Sequence, residues 1–446
     1  MIAKIAEPTK GLVLFCLPGW LEIILFAMKY SNLKIYSLGL KLMCRSTKVI
    51  KMRRFIILFF VLTVAVPAVL SQSISLKRQK VICGADQTDK YFERLKSAKI
   101  GLVANKSSMI GDVHLLDKML KEGVHVVSIF CPEHGFRGEG EAGERIDDHL
   151  DPVTGIPVIS IYGSKKKPDP DDLSGIDVLV FDMQDVGARF YTYISTLHYV
   201  MEAAGELEIP LIILDRPNPN GFYVDGPIRE SEFTSFVGMH PIPVVHGMTI
   251  GEYGLMINGE GWLSKGVQCE ISVVPCLNYD HLTAYELPVR PSPNLPNQIS
   301  VYLYPSLCFF EGTKVSIGRG TKLPFQILGH PDLDQDFTFR PVSTPGASLN
   351  PKCKDQLCFG WDVRRTGIKM LFDKPGIQLE WVIKAYNELG QPSDFFRAYF
   401  DTLSGTKRIR EMIESGYDAE TIRKSWDEEL RQFMLVREKY LIYPDF

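Results

Sequence analysis

Glu133 lies in the string Pro132-Glu-His-Gly-Phe-Arg-Gly138, beside His134, Arg137 and two glycines. A carboxyl in such a place becomes a general acid when burial raises its pKa toward working pH. The glycines let backbone approach a ligand closely. The plain alternative is a solvated loop carboxylate. The densest cluster is Phe181-Asp-Met-Gln-Asp-Val-Gly-Ala-Arg-Phe-Tyr-Thr-Tyr193. Asp182 and Asp185 are candidate partners for Glu133. Gln184 and Asp185 can bond hydroxyls, Arg189 can fork onto a carboxylate, and Tyr191 and Tyr193 offer stacking faces. The structural alternatives are that Asp185 caps a helix and that at least one tyrosine ring is core. Asn105 and the pair Asp215-Arg216, with Asn218 after them, add polar groups. A buried Asp–Arg pair would pin structure, and an open one would clamp a ligand. Further on come His246, Ser292 with Asn294, and a Gly-rich stretch holding Glu311, Thr313 and Arg319.

These residues need a frame that gathers them. Apolar runs at Lys99–Ala104, 124–130, 156–161, 178–181 and 209–214 end in turn at Asn105, at Glu133, at Tyr162-Gly163, at the Asp182 cluster and at Asp215-Arg216. Such runs predict strands buried on both faces, hence a parallel sheet with helices on either side. Ligands sit outside the carboxyl ends of such strands. Asp112–Glu122, with an Asp cap, and 191–207 have helical spacing. The expected fold is α/β: a Rossmann-like, doubly wound, mainly parallel sheet over 73–230, then a smaller α+β domain over 231–446, with the active-site cleft between them. The boundary is placed near Pro227–Phe236. Beyond it, 269–274 and 360–364 alternate with period two and suggest antiparallel strands. Tyr304-Pro305 is expected at a strand end, and 379–400 and 406–440 are helical by pattern. The strand-1 turn carries no GxGxxG, and neither HExxH nor GxSxG occurs, so dinucleotide binding, zinc peptidase and serine hydrolase chemistry are not supported.

The 446 residues are 45% hydrophobic and 23% charged, ordinary globular values. Residues 1–71 differ, with ten Lys/Arg against two Asp/Glu. Lys51, Arg53 and Arg54 precede the apolar stretch Phe55–Leu70, and Ser71 follows. This predicts a signal peptide over 52–71, a true start at Met52 and a non-native extension over 1–51. The protein is then expected to be exported, periplasmic or secreted, without stable membrane insertion after cleavage. Its net charge moves from −3 to −11, which argues against nucleic acid as a partner. Seven of nine cysteines follow Ser71. Cys131, Cys276 and Cys308 read as core residues, and Cys353 with Cys358 could form a local disulfide. No metal site or cofactor is expected.

The strings Pro132–Gly138, Phe181–Tyr193, Leu214-Asp-Arg-Pro-Asn-Pro219, His246-Gly-Met-Thr249, Pro291-Ser-Pro-Asn-Leu-Pro296 and Phe310-Glu-Gly-Thr with Gly318-Arg-Gly-Thr321 come in the order and spacing of one family. The chain resembles the NamZ/YbbC-like exo-β-N-acetylmuramidases, glycoside hydrolases of cell-wall recycling, over roughly Val81 to Phe446. The resemblance implies a two-domain cleft, removal of terminal N-acetylmuramic acid from the non-reducing end of peptidoglycan fragments, and Glu133 as leading catalytic carboxyl. Lys314 and Ile317 depart from the family's pattern beside Arg319. On this hypothesis Glu133 protonates the leaving oxygen, and Asp182 or Asp185, with Glu311 third, assists the oxocarbenium ion or activates water. Arg137, Arg189, Arg216 or Arg319 would meet the lactyl carboxylate. The rivals are a non-catalytic periplasmic muropeptide-binding protein and, lower, a nucleotide-dependent enzyme.

Overall fold

Seven strands form the central sheet of the computed structural model, which describes residues 75–133, 135–137 and 147–446. The expected extension, the signal peptide and His134 lie outside the described residues. In chain order the strands are β1 (Lys99–Ala104), β2 (Met109–Ile110), β3 (Val113–His114), β4 (His125–Cys131), β5 (His149–Leu150), β6 (Pro157–Ser160), β7 (Val178–Asp182), β8 (Leu211–Leu214), β9 (Ile271–Val274), β10 (Ile327–His330), β11 (Phe337–Phe339) and β12 (Cys358–Asp362). The large sheet runs β5-β6-β4-β1-β7-β8-β9. Every pairing in it is parallel except β5 on β6. Counting only the parallel strands, their order is 3-2-1-4-5-6, the doubly wound dinucleotide-fold order. All five apolar runs are strands of this sheet. The central ones read as continuous because neither face meets water: β8 is buried at every position, β1 at every position after Lys99 and β7 at every position after Val178.

Two expectations about the sheet change. Ile271–Val274 is not antiparallel; it runs parallel beside β8 as the sheet's far edge. The sheet thus takes a strand from the C-terminal side of Pro227–Phe236. Tyr304-Pro305 ends no strand; both residues lie in the helix Gln298–Leu307. The expected cap at Asp112 is also replaced. The helix is Leu115–Lys121, and the His114 ring accepts from the Leu116 amide. The second helix, Tyr193–Glu206, matches its pattern within two residues.

The remainder is a small antiparallel sheet, β10-β12-β11, and a run of short helices. The long helical patterns are broken into Glu380–Glu388, Ala398–Ser404, Arg408–Glu414, Ala419–Lys424 and Asp427–Arg437. Gly390, Gly405 and Gly416 turn the chain at positive φ, where a side chain would be strained. One continuous apolar core joins β7, the helix Tyr193–Glu206 and the C-terminal helices through Phe309, Phe310, Phe400 and Trp426. Gln72–Phe446 accordingly forms one compact unit.

Candidate active site

Glu133 stands two residues past β4, at the carboxyl rim of the sheet. Tyr162 follows neighbouring β6 and stands beside the Glu133 carboxylate. Burial and that negative charge push the phenol's pKa up. Glu133 lines a cavity of about 690 Å³ together with Tyr162, Phe190, Thr192, Tyr304, Glu311, Arg319 and Tyr399. That volume is in the range of sites that enclose small ligands, about 300–1,000 Å³. An inner recess of about 70 Å³ adds Tyr191, Tyr193, Ser292, Asn294 and Phe325. The wall is therefore part sheet rim, part the start of the helix Tyr193–Glu206, and part chain from beyond residue 290.

Among the described residues, two carboxyls face this cavity, Glu133 and Glu311. Both act on the Tyr399 phenol, raising its pKa after burial has done so. Arg319 holds Glu311 through Nε at 2.5 Å and lies over the Phe325 ring at 5.1 Å. Its terminal amino groups make no hydrogen bond among the described residues, so they remain for a ligand. Tyr191 donates to the Pro291 carbonyl at 2.9 Å, tying the tyrosines that follow β7 to the Ser292–Asn294 turn. Asn105 donates to the Tyr193 hydroxyl at 2.7 Å and so orients the recess rather than lining it. Asn294 lines the recess and donates to the Ala347 carbonyl at 2.8 Å.

The other expected site residues do structural work. Asp182 is 0% exposed and receives Arg216 Nε at 2.5 Å and Nη2 at 2.8 Å. This is the buried Asp–Arg pin, but Arg216 pins Asp182, not Asp215. Asp215 instead accepts from Thr249 Oγ1, the Gly251 amide and the Tyr443 phenol, joining the helix Ile250–Gly259 to the C-terminus. Burial pushes the Asp215 carboxyl up to about 6. Arg189 clamps no carboxylate. It is buried and donates to the carbonyls of Pro227, Ile242, Leu403 and Ser404. Burial lowers it to about 9. Arg137 forks onto Asp151 at 2.7 and 2.9 Å, which holds that carboxyl down at about 2. Asn218 bonds the Met248 carbonyl, and Thr313 bonds the Phe310 carbonyl. Lys314 pairs with Asp394, and Ile317 is core.

Asp185 lies behind the recess. One oxygen takes the Gly187 amide at 2.6 Å, and His246 Nε2 stands 3.9 Å from the same oxygen. Asp185 caps a turn, not the helix. Burial raises it to about 7 and lowers His246 to about 3. Gln184 reaches the carbonyls of Asp185 and Pro217.

The sequence singles out Tyr162 after an apolar run and Tyr304 before Pro305 without giving either a role in the site, and it gives Phe190, Thr192, Phe325 and Tyr399 no role at all. Tyr162 had a signal, its place directly after an apolar run. Tyr399 had none, because one aromatic residue in a helical pattern looks like core.

Residues 100–299 match the family model "Exo-beta-N-acetylmuramidase NamZ, N-terminal", and residues 302–443 match "Exo-beta-N-acetylmuramidase NamZ, C-terminal". The chain is 38% identical over 411 residues to peptidoglycan beta-N-acetylmuramidase NamZ of Bacillus subtilis, covering 87% of this chain and 97% of that one. A crystal structure of a DUF1343 family protein from Bacteroides fragilis superposes with a TM-score of 0.77 at 45% identity, over 82% of this chain and all of the other. A second such protein from that organism gives 0.66 at 27% identity, with the same coverage.

Proposed function

This chain belongs to the exo-beta-N-acetylmuramidase NamZ family, and from that premise we propose that Glu133 and Glu311 are its catalytic pair. It is a glycoside hydrolase of peptidoglycan, an exo-β-N-acetylmuramidase releasing terminal non-reducing N-acetylmuramic acid. The observation that carries the assignment of the pair is that these two carboxyls face one cavity with Tyr399 in the field of both. Glu133 donates the proton to the leaving glycosidic oxygen, positioned by Tyr162. Glu311, ion-paired with Arg319, supplies the second carboxylate. It either stabilises the oxocarbenium ion directly or activates water, and the carboxyl separation with sugar bound selects between them. The free amino groups of Arg319 take the lactyl carboxylate, since Arg189 and Arg216 are committed inside the protein. Phe190, Tyr304 and Phe325 give the sugar ring an apolar bed.

Export to the periplasm or beyond is part of the same proposal. Its support is the basic, apolar and small-residue succession over 52–71 and the placement of peptidoglycan outside the cytoplasm.

The test is turnover of a defined disaccharide, muramic acid linked to N-acetylglucosamine, followed by proton NMR. Wild-type protein is expected to release muramic acid. Glu133→Gln is expected to fold and lose about 10²–10⁴-fold in rate, the contribution of a general acid. Near-normal turnover by this variant would remove Glu133 from its role.

A further inference from the structure

Two thiols that catalysis does not use face each other at the far end of the sheet. Ile82 and Leu277 exchange both backbone hydrogen bonds, at 3.0 and 2.8 Å, in an antiparallel bridge. One residue on from Ile82 is Cys83, and one residue back from Leu277 is Cys276. In antiparallel register this is the non-hydrogen-bonded position, where Cα atoms stand about 4.5 Å apart with side chains on one face. The backbone keeps that register. Cys83 is extended, at φ −68° and ψ 162°. Its amide goes to Asp86 at 2.9 Å, and the Cys276 amide goes to the Tyr443 phenol at 2.8 Å, so neither points across the pair. The two thiols are near enough to interact with each other, and both residues are buried. A disulfide requires Cα atoms about 4.4–6.8 Å apart with Cβ vectors converging, and this register provides both.

We propose that Cys83 and Cys276 form a disulfide in the exported protein. Each thiol gives up its hydrogen and one S–S bond forms. The two electrons and two protons pass to a disulfide-bearing thiol oxidant, whose own bond is reduced to two thiols. The bond closes a ring containing all six parallel strands. It fastens the leading segment beside Asp215, whose carbonyl already takes the Gly84 amide at 2.8 Å and the Cys276 thiol at 3.2 Å.

The test is a peptide map of the full chain exported to a bacterial periplasm, denatured and alkylated without reductant. Expected is a peptide joining Cys83 to Cys276, lighter by two hydrogens than its parts, lost after reduction and lost in Cys276→Ala. Cys131, Cys269 and Cys308 are expected to be alkylated. Full alkylation of Cys83 and Cys276, or either one joined to a different cysteine, overturns the proposal.

Discussion

Tyr162, just past β6, stands beside the Glu133 carboxylate, just past the neighbouring strand β4. Two adjacent sheet strands thus bring this phenol to the proposed proton donor. Hydrogen bonds to charged groups contribute about 1.5–3 kcal/mol. Tyr162→Phe is therefore expected to lower kcat by about tenfold or more while the melting temperature changes little. Unchanged kcat would show that the phenol does not position the carboxyl.

Glu311→Gln is expected to lower kcat as severely as Glu133→Gln. A small external nucleophile such as azide discriminates the two kinds of role. If Glu311 forms a glycosyl intermediate, azide partly restores turnover in a smaller variant, Glu311→Ala, and yields a glycosyl azide. Full activity in both Glu311 variants would leave Glu133 without this partner.

Arg319 is expected to set the preference for a carboxylate-bearing sugar. Arg319→Met should reduce kcat/KM on a muramic acid glycoside by about 10–100-fold, the loss of a charge-assisted hydrogen bond. The ratio of that value to the one for an N-acetylglucosamine glycoside should fall with it. An unaltered ratio would mean that another group reads the lactyl carboxylate.

The Asp182–Arg216 pair predicts a stability effect. Removing one partner of a buried pair costs about 3–5 kcal/mol. Asp182→Ala is expected to lose stability on that scale in urea unfolding. A loss below 1 kcal/mol, roughly the surface-pair value, would contradict its reading as a pin.

Asp185 gives a pH dependence. Its folded pKa, about 7, lies above the unfolded carboxyl value of 3.8. The folded state then binds more protons than the unfolded state between those values, so this group's contribution to stability falls as pH rises from about 4 to about 7. The unfolding free energy of wild type minus that of Asp185→Asn should decline across that window and flatten above it. A flat difference would assign Asp185 an ordinary carboxyl.

The sheet was legible because its strands are buried on both faces and appear as unbroken apolar runs ending in polar clusters. Glu133 was legible for the same reason: it follows such a run and is flanked by glycines. The division of labour among Asp182, Asp215, Arg189 and Arg216 was not. An Asp at a strand end has the same local sequence whether it faces a ligand or an arginine 34 residues later. Only the register of β7 on β8 puts Asp182 beside the turn that carries Arg216. Tyr304 and Tyr399 reach the cavity through tertiary packing of helices, and helical periodicity shows a buried face without showing what covers it. The edge strand β9 was misjudged because its polar alternation reflects a half-solvated edge, which resembles antiparallel patterning.

The buried guanidinium of Arg189 has a consequence for turnover. It bolts together main chain from around Pro227, Ile242 and Leu403, directly behind Phe190 and Leu403 in the cavity wall. The strand-end segment that carries Phe190 and the helix that carries Leu403 are thereby held to each other, so these two wall residues keep a common spacing for whatever sugar lies between them.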